Sequence, residues 1–441
     1  MFSCIANNKQ LGKSNIVFNL VCSFVLAFLA VTILGTQVCF NELIQNRSGV
    51  AACSAATDTS VANFAIAAEG GDKTDSDVQD ELNNSVNDAI NDTDFSQLED
   101  YFAQNEQYYY NIFGVNSYKE FLQALVSGQL LTDFDSVFAA IMQTVKQNIV
   151  QILSPLLLIM VVVLLGVVFK NVKPKVSDSS VASAIFFICF SVTTILVIYL
   201  VGDTFVAIRS SIAKMQNQMN AIFPILLLFM TSAGGAASVK AYQPLVLILS
   251  NVVSNIFLNV LLPIVVILFV LGIVGGLSPK TKLKKLSDFF NSLFKWIVGL
   301  VFTIYMGFMS IQGITASHAD GVSIKAAKYA IKNYIPMLGG YISEGFEVAR
   351  VGSLIIKNAV GFSGIILLLI TIVSPVLLLG VMQLAFKLAA GLLEPIADSK
   401  TSDMFSGVSK SLTMLMVVLV GVAIMYFVVI FLIICSLSGV G

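Results

Sequence analysis

Charge is scarce in these 441 residues: Asp, Glu, Lys and Arg together make up 12% of the chain, against about 25% in soluble globular proteins. Apolar residues fill 57% of it, where roughly 45–50% is usual, so lipid rather than water must face much of the surface. Histidine is scarcer still. His318 is the sole example, which excludes a metal centre built on several imidazoles and leaves any Ser/His/Asp triad only this residue beside Asp320. At the end of an apolar stretch it reads as an interfacial loop residue. The six cysteines, Cys4, Cys22, Cys39, Cys53, Cys189 and Cys435, form no CxxC and no Cys/His spacing suited to zinc, so neither a disulfide framework nor a metal site is expected. The one lysine-ended glycine stretch, Gly275-Gly276-Leu277-Ser278-Pro279-Lys280, lacks the second glycine and the following Ser/Thr of a phosphate loop. No paired acids or activated nucleophile lie inside an apolar run. The expectation is a non-enzyme with no cofactor and no nucleic-acid partner.

What charge there is, is segregated. Asn41 to Val145 holds 17 acidic and 3 basic residues although the whole chain carries −1, so the apolar remainder is basic. Ahead of the acidic part, Lys9 and Lys13 precede the apolar run Ile16 to Val38. It is long for a signal peptide and long enough to span. Residues 1–40 are therefore read as a signal peptide or signal anchor that exports the acidic segment behind it. The Ala-, Asn-, Ser- and Asp-rich stretch 41–94 has little apolar periodicity and is expected to be largely disordered. Across 95–148 the aromatic and aliphatic residues return, with Tyr108, Tyr109, Tyr110, Tyr118, Phe121, Leu122 and Leu125 marking amphipathic extracytoplasmic helices. A small packed cap on the membrane domain is favoured there over a ligand site.

Six apolar runs occupy 149–441: Ile149 to Phe169, Val181 to Val201, Pro244 to Leu277, Trp296 to Ala316, Val360 to Met382 and Ser411 to Ile434. Each approaches or exceeds the roughly 20 residues needed to cross a bilayer. Lysine clusters at Lys170 to Lys175 and Lys280 to Lys285 fall on the cytoplasmic side if the acidic segment is exported, as the positive-inside rule requires. The fold class is thus all-α, a polytopic membrane protein with about six spans and its C-terminus outside.

Between the second and third runs, Phe205, Ile208, Ile212, Met215 and Met219 step by 3, 4, 3 and 4, one helical face. A short apolar stretch then runs from Phe223-Pro224 to Gly234-Gly235, too short to cross unaided. A shift of 112 residues brings Ile324, Ala327, Ile331 and Tyr334 onto Ile212, Met215, Met219 and Ile222, and Pro336 onto Pro224. Both prolines precede a mid-run proline by 39 residues, Pro263 and Pro375. We read an internal repeat, with units about 181–277 and 296–390, each containing a broken, re-entrant hairpin. Pro224, Gly234, Gly235, Pro336, Gly339 and Gly340 are the candidate pore, gate or packing residues of these hairpins. Asn251, Asn255 and Asn259, four apart on one face of the third run, need partners that lipid cannot supply. Interhelical bonding is favoured over a pathway lining. Glu344, Glu347, Arg350 and Lys357 are either a polar mouth or solvated ion pairs, with Glu347 and Arg350 at helical pairing distance.

Gln312-Gly313, Ala319-Asp320-Gly321, Ala327-Lys328, Pro336-Met337-Leu338-Gly339-Gly340, Lys357-Asn358-Ala359-Val360-Gly361 and Leu392-Leu393-Glu394-Pro395-Ile396 occur in that order. The ordered set resembles the stage III sporulation protein AE family, most strongly over 296–400, with weaker support from Phe223-Pro224, Ser238 and Leu261-Leu262-Pro263. Ser317-His318 and Ala397 depart mildly from the pattern. The resemblance implies a membrane component of a channel-like complex that connects mother cell and forespore in endospore development. It implies as partners the other stage III sporulation A-operon membrane proteins, their ATPase and stage II sporulation protein Q, and a place in the mother-cell membrane surrounding the forespore. Alternatives from other classes are a stand-alone secondary transporter for a small solute and a non-conducting membrane scaffold.

Overall fold

A computed structural model describes residues 75–103, 110, 113–127, 134–171, 179–277, 283–334, 339–395 and 399–436. The N-terminal apolar run, most of the acidic stretch, Tyr108 and Tyr109, and Pro336 lie outside the described residues. Every regular element among those described is helical: α1 Asp75–Asp92, α2 Ser96–Ala103, α3 Tyr118–Ser127, α4 Phe134–Asn171, α5 Ser179–Ser232 and α6 Ala236–Leu247. A π-helical stretch π1 Ile248–Val253, a short α-helical turn Ser254–Ile256 and a second stretch π2 Phe257–Leu261 lead into α7 Leu262–Leu277. Then come α8 Leu283–Tyr334, α9 Gly339–Leu393 and α10 Ser399–Cys435.

Six of these helices are long and apolar enough to cross a membrane, over Met142–Phe169, Phe187–Ser232, Ser254–Gly275, Leu283–Phe308, Gly345–Leu393 and Lys400–Cys435. They occur in the order of the six apolar runs. Their lengths exceed the requirement. With 54, 52 and 55 residues, α5, α8 and α9 measure about 80 Å each at about 1.5 Å per residue, against roughly 30 Å of hydrocarbon. Much of each must stand beyond the bilayer.

The described chain divides into two compact bodies. The smaller holds residues 75–86, 326–334 and 339–352; the larger holds 87–325 and 353–436. In the larger body α10 is the interior element. Of its most apolar window 78% is buried, against 17–44% for the other five spans. Glycines permit this. Gly272 of α7 and Gly407 of α10 bring their backbones together, a Cβ on Gly407 falling 3.1 Å from the Gly272 Cα. Gly421 receives the ring of Phe257, and Gly361 of α9 receives Ile434. The last span is thus enclosed by its neighbours, because small residues let helices approach on several sides.

α5 carries the stripe that the sequence pattern picked out. Ile208, Ile212, Met215, Met219, Ile222, Leu226 and Met230 are all fully buried, while Arg209, Lys214 and Asn217 between them are not. The expected separation into a span, an amphipathic helix and a broken segment is not what forms. α5 runs unbroken through Pro224, whose missing N–H releases only the Asn220 carbonyl at an exposed position. The chain turns ten residues later, at Gly234, where φ is +88° and glycine is favoured. A second difference lies in the acidic stretch, whose end is the helix α1. Val78, Leu82, Val86 and Ile90 recur every four residues, and Val86 and Ile90 are buried, an apolar row that composition alone concealed.

Candidate functional site

At one end of the larger body several helix ends converge, and two buried ions hold them. The turn after α5 is closed by Gly235 N–H donating to the Met230 carbonyl at 2.9 Å. Ile324 of α8 packs on Gly234, its Cγ1 3.0 Å from where a Cβ would stand. Four residues before Ile324, Asp320 is 1% exposed. Its Oδ1 accepts from Ala237 N–H at 2.8 Å and its Oδ2 from Ser238 N–H at 3.0 Å. These are first-turn amides of α6, which have no partner within their own helix, and the carboxylate meets the positive end of the helix dipole. Asp320 thus caps, from another helix, the start of α6.

Lys357 of α9 does the complementary work. It is fully buried, and its Nζ donates to the carbonyls of Ile434 at 3.1 Å and of Ser436. Those oxygens lie in the last turn of α10 and one residue past it, at the negative end of that helix. The Ser436 hydroxyl lies 3.9 Å from Met230 Sδ, which ties this end of α10 to the turn held by Asp320. An ion of each sign is therefore buried against the helix end of opposite polarity. Lys357 is corrected from a mouth or solvated ion pair to a buried cap. Asp320 and His318 stand inside α8, not in an interfacial loop, because the helix continues well past the expected span end at Ala316. Sequence reasoning considered Asp320 beside His318 and within the ordered set that carries the resemblance, and gave it no capping role; the signal that could have found one was the presence of both Asp320 and Ser238 among the family-like residues.

The π-helical stretches form the second part of the site. Asn251 falls in π1 and Asn259 in π2, with Asn255 between them. Asn259 Nδ2 donates to Asn255 Oδ1 at 3.1 Å, and both amides are exposed. On the opposite side Ser254 Oγ and Tyr426 Oη share a buried hydrogen bond of 2.8 Å. The Tyr305 hydroxyl donates to the Met425 carbonyl at 2.6 Å, and Phe257 covers Gly421. A helix carrying i→i+5 turns is rare and marks sites of adjustment; here the wider turns seat Phe257 and Ser254 on α10 while keeping the two asparagines outward.

Among the remaining sequence candidates, Gly339 and Gly340 open α9 and Glu344 stands within its first turns. Within the smaller body Arg350 donates to Glu347 at 3.0 Å, as their spacing predicts. Outside the spans, α2 and α3 build an aromatic cap from Phe95, Phe102, Tyr118 and Phe121. It is fastened to the long helices by hydroxyls: Tyr118 Oη to Ser363 Oγ at 2.6 Å, and Tyr101 Oη to Thr371 Oγ1 at 2.6 Å. Thr371 also donates to Gln218 of α5 at 3.4 Å. Burial raises the phenols of Tyr101 and Tyr118 above their ordinary range, opposed only partly by these hydrogen bonds.

Comparison with known proteins fits this arrangement. The family profile described as Stage III sporulation protein AE matches residues 116–437, which takes in the second helix of the cap, all six long apolar helices and both buried ions. The chain belongs to the stage III sporulation protein AE family. The stage III sporulation protein AE of Bacillus subtilis (strain 168) is 26% identical over 280 residues, covering 63% of this chain and 69% of that relative. No solved structure matches. Membership in this family and the six apolar helices make the chain a multi-pass membrane protein of sporulation. Its family is not a known class of enzymes, and no group of three or more His, Cys, Asp or Glu suited to a metal occurs among the described residues.

Proposed function

We propose that the chain is a membrane component of the channel-like complex connecting mother cell and forespore, and that it acts through the joined ends of its hairpins rather than through a pore along its own axis. The observation that carries this reading is the burial of α10, which occupies the interior of the bundle. A path for solute would then lie between this chain and its partners. The engagement of Asp320 and Lys357 with helix ends argues against a stand-alone transporter, which needs a buried ion available for coupling. In this reading residues 1–40 act as a signal peptide or anchor, and the acidic segment and aromatic cap face the space between the two membranes. The units 181–277 and 296–390 are duplicated hairpins whose re-entrant or projecting ends meet the partners. Those partners are the other stage III sporulation A-operon membrane proteins, their ATPase and stage II sporulation protein Q, and the chain resides in the mother-cell membrane around the forespore.

Deleting the gene in the host and counting heat-resistant spores tests the role, with a loss of several orders of magnitude expected. Tagged chain purified from sporulating cells is expected to carry operon-encoded membrane proteins with it. Normal spore numbers, or solute flux by the purified chain alone in liposomes, would contradict the proposal.

A further inference from the structure

The two π-helical stretches interrupt one long helical run with only Ser254–Ile256 between them. An i→i+5 turn holds one residue more than the α-helical turn it replaces, so the short middle segment is placed by one extra residue before it and one after. Both outer ends are held. Asp320 fixes the start of α6, and the close approach of Gly272 to Gly407 fixes α7 on α10. The middle segment can therefore turn while its ends stay in place, provided an extra residue crosses from one side of it to the other. Pro244 of α6 has no N–H and already opens one bond of the ladder on the N-terminal side, which is where a second wide turn is most easily taken up.

We propose that residues 248–261 form a two-register joint, in which the extra residue of π2 passes to the N-terminal side of Ser254 and the middle segment turns by one position. One position is about 100° of rotation and about 1.5 Å of rise, so each site on α10 is then met by the next residue. In the present register Ser254 shares a hydrogen bond of 2.8 Å with the Tyr426 hydroxyl, Phe257 covers Gly421, and Asn255 pairs outward with Asn259. In the other register Asn255 meets Tyr426 and Leu258 covers Gly421. Ser254 takes the buried place of Val253, where a serine hydroxyl bonds the carbonyl one turn back. Tyr426 keeps a polar partner and Gly421 an apolar cover, as an element with two discrete packings requires. What differs is the outward side, where Ile256 replaces Asn255. Hydrocarbon cannot satisfy an outward amide and favours the second register; water or a polar neighbour favours the first. The joint thus responds to what lies against it. This inference does not rest on the complex proposed above, because it concerns residues of this chain alone.

The test measures distances between two nitroxide labels by pulsed electron resonance on the full-length protein in nanodiscs, with its six cysteines replaced by serine. One label is carried by Ile256→Cys in the middle segment and the other by Ile195→Cys, at an exposed position of α5. A side chain about 5–6 Å from the helix axis moves by roughly 8 Å when it turns through one position, so two distance populations are expected. Moving the first label to Ile267→Cys in α7, also exposed, is expected to give one. Adding Asn255→Val to the Ile256→Cys protein removes the amide that would meet Tyr426 and is expected to leave only the population of the present register. A single population for Ile256→Cys would overturn the proposal. So would two populations for Ile267→Cys, which would make the motion one of the whole helix, or a second population undiminished by Asn255→Val. Should that variant fail to fold, the comparison of the two label positions still decides.

Discussion

Replacing Asp320 removes the cap on α6 and nothing else of comparable size. The carboxylate is 1% exposed and accepts two backbone N–H groups at 2.8 and 3.0 Å. Hydrogen bonds to a charged group contribute about 1.5–3 kcal/mol each, and the helix dipole adds about 0.3–1 kcal/mol. Against these stands the cost of burying the ion, several kcal/mol. Asp320→Ala relieves that cost but leaves two amides at a buried helix start without acceptors, at about 1–3 kcal/mol for each. The net local loss is about 2–4 kcal/mol. Asp320→Asn keeps one acceptor and turns an NH2 toward an N–H donor, so about half the loss is expected. At about 1.4 kcal/mol per tenfold, opening of the turn and α6 should rise by roughly 30- to 1000-fold in the alanine variant. Hydrogen exchange of peptides covering 233–247, measured on protein in nanodiscs, reads this directly. Ser238→Ala separates the cap from simple packing: the Ser238 hydroxyl is buried without a partner, so its removal should leave exchange within about 0.5 kcal/mol of the parent. Unchanged exchange in both Asp320 variants would refute the assignment of the carboxylate as the cap.

Lys357→Met keeps the stem and removes the donors to the end of α10; fraying of residues 430–436 worth about 1–3 kcal/mol is expected, visible as faster exchange there and not in α4. Gly421→Leu would place its side chain into the ring of Phe257, which lies 2.9 Å from the Cβ position, and overpacking of about 1–3 kcal/mol should lower the thermal midpoint. The cap should release in strong alkali. Burial holds the Tyr101 and Tyr118 phenols above their ordinary value of 10.0, so the folded state keeps protons that the unfolded state gives up. The stability they contribute is complete below about pH 10 and is lost as pH rises through their elevated folded values. Proteolysis within 87–127 should quicken over that range in the parent and shift in Tyr118→Phe.

Much of the architecture could be read from hydropathy. Six runs near 20 residues fix six crossing helices because no other backbone of this kind satisfies itself in hydrocarbon, and the 3-4-3-4 spacing from Phe205 to Met219 marked the buried face of α5. Three features escaped. Proline reasoning broke α5 at Pro224, but a proline at an exposed position costs a helix little when the carbonyl it frees can be satisfied from outside the ladder. The turn is set instead by Gly234, where the sequence reading had ended the short apolar stretch. Burial of α10 was illegible, since a helix facing lipid and one facing protein are equally apolar. Only Gly407 and Gly421, which admit a backbone and a ring, carried that information. The site was partly legible. Asn255 and Asn259 were found as a polar pattern on one helical face, and Glu347 with Arg350 as an ion pair. Lys357 looked like a solvated charge because its acceptors are carbonyls 77 and 79 positions away, and no local pattern announces a cap supplied from another helix.

Central to this picture is the enclosure of α10 by protein, facing neither lipid nor a watery path. Peptide-resolved labelling of the unmodified chain with two carbene precursors, one soluble in hydrocarbon and one in water, tests it in a single experiment. Residues 411–434 are expected to be labelled least by both reagents, while 157–169 of α4 react with the hydrocarbon-soluble one. Labelling of α10 by the water-soluble reagent at the level of the exposed Thr231 and Ser232 at the end of α5, or by the hydrocarbon-soluble one at the level of α4, would contradict it.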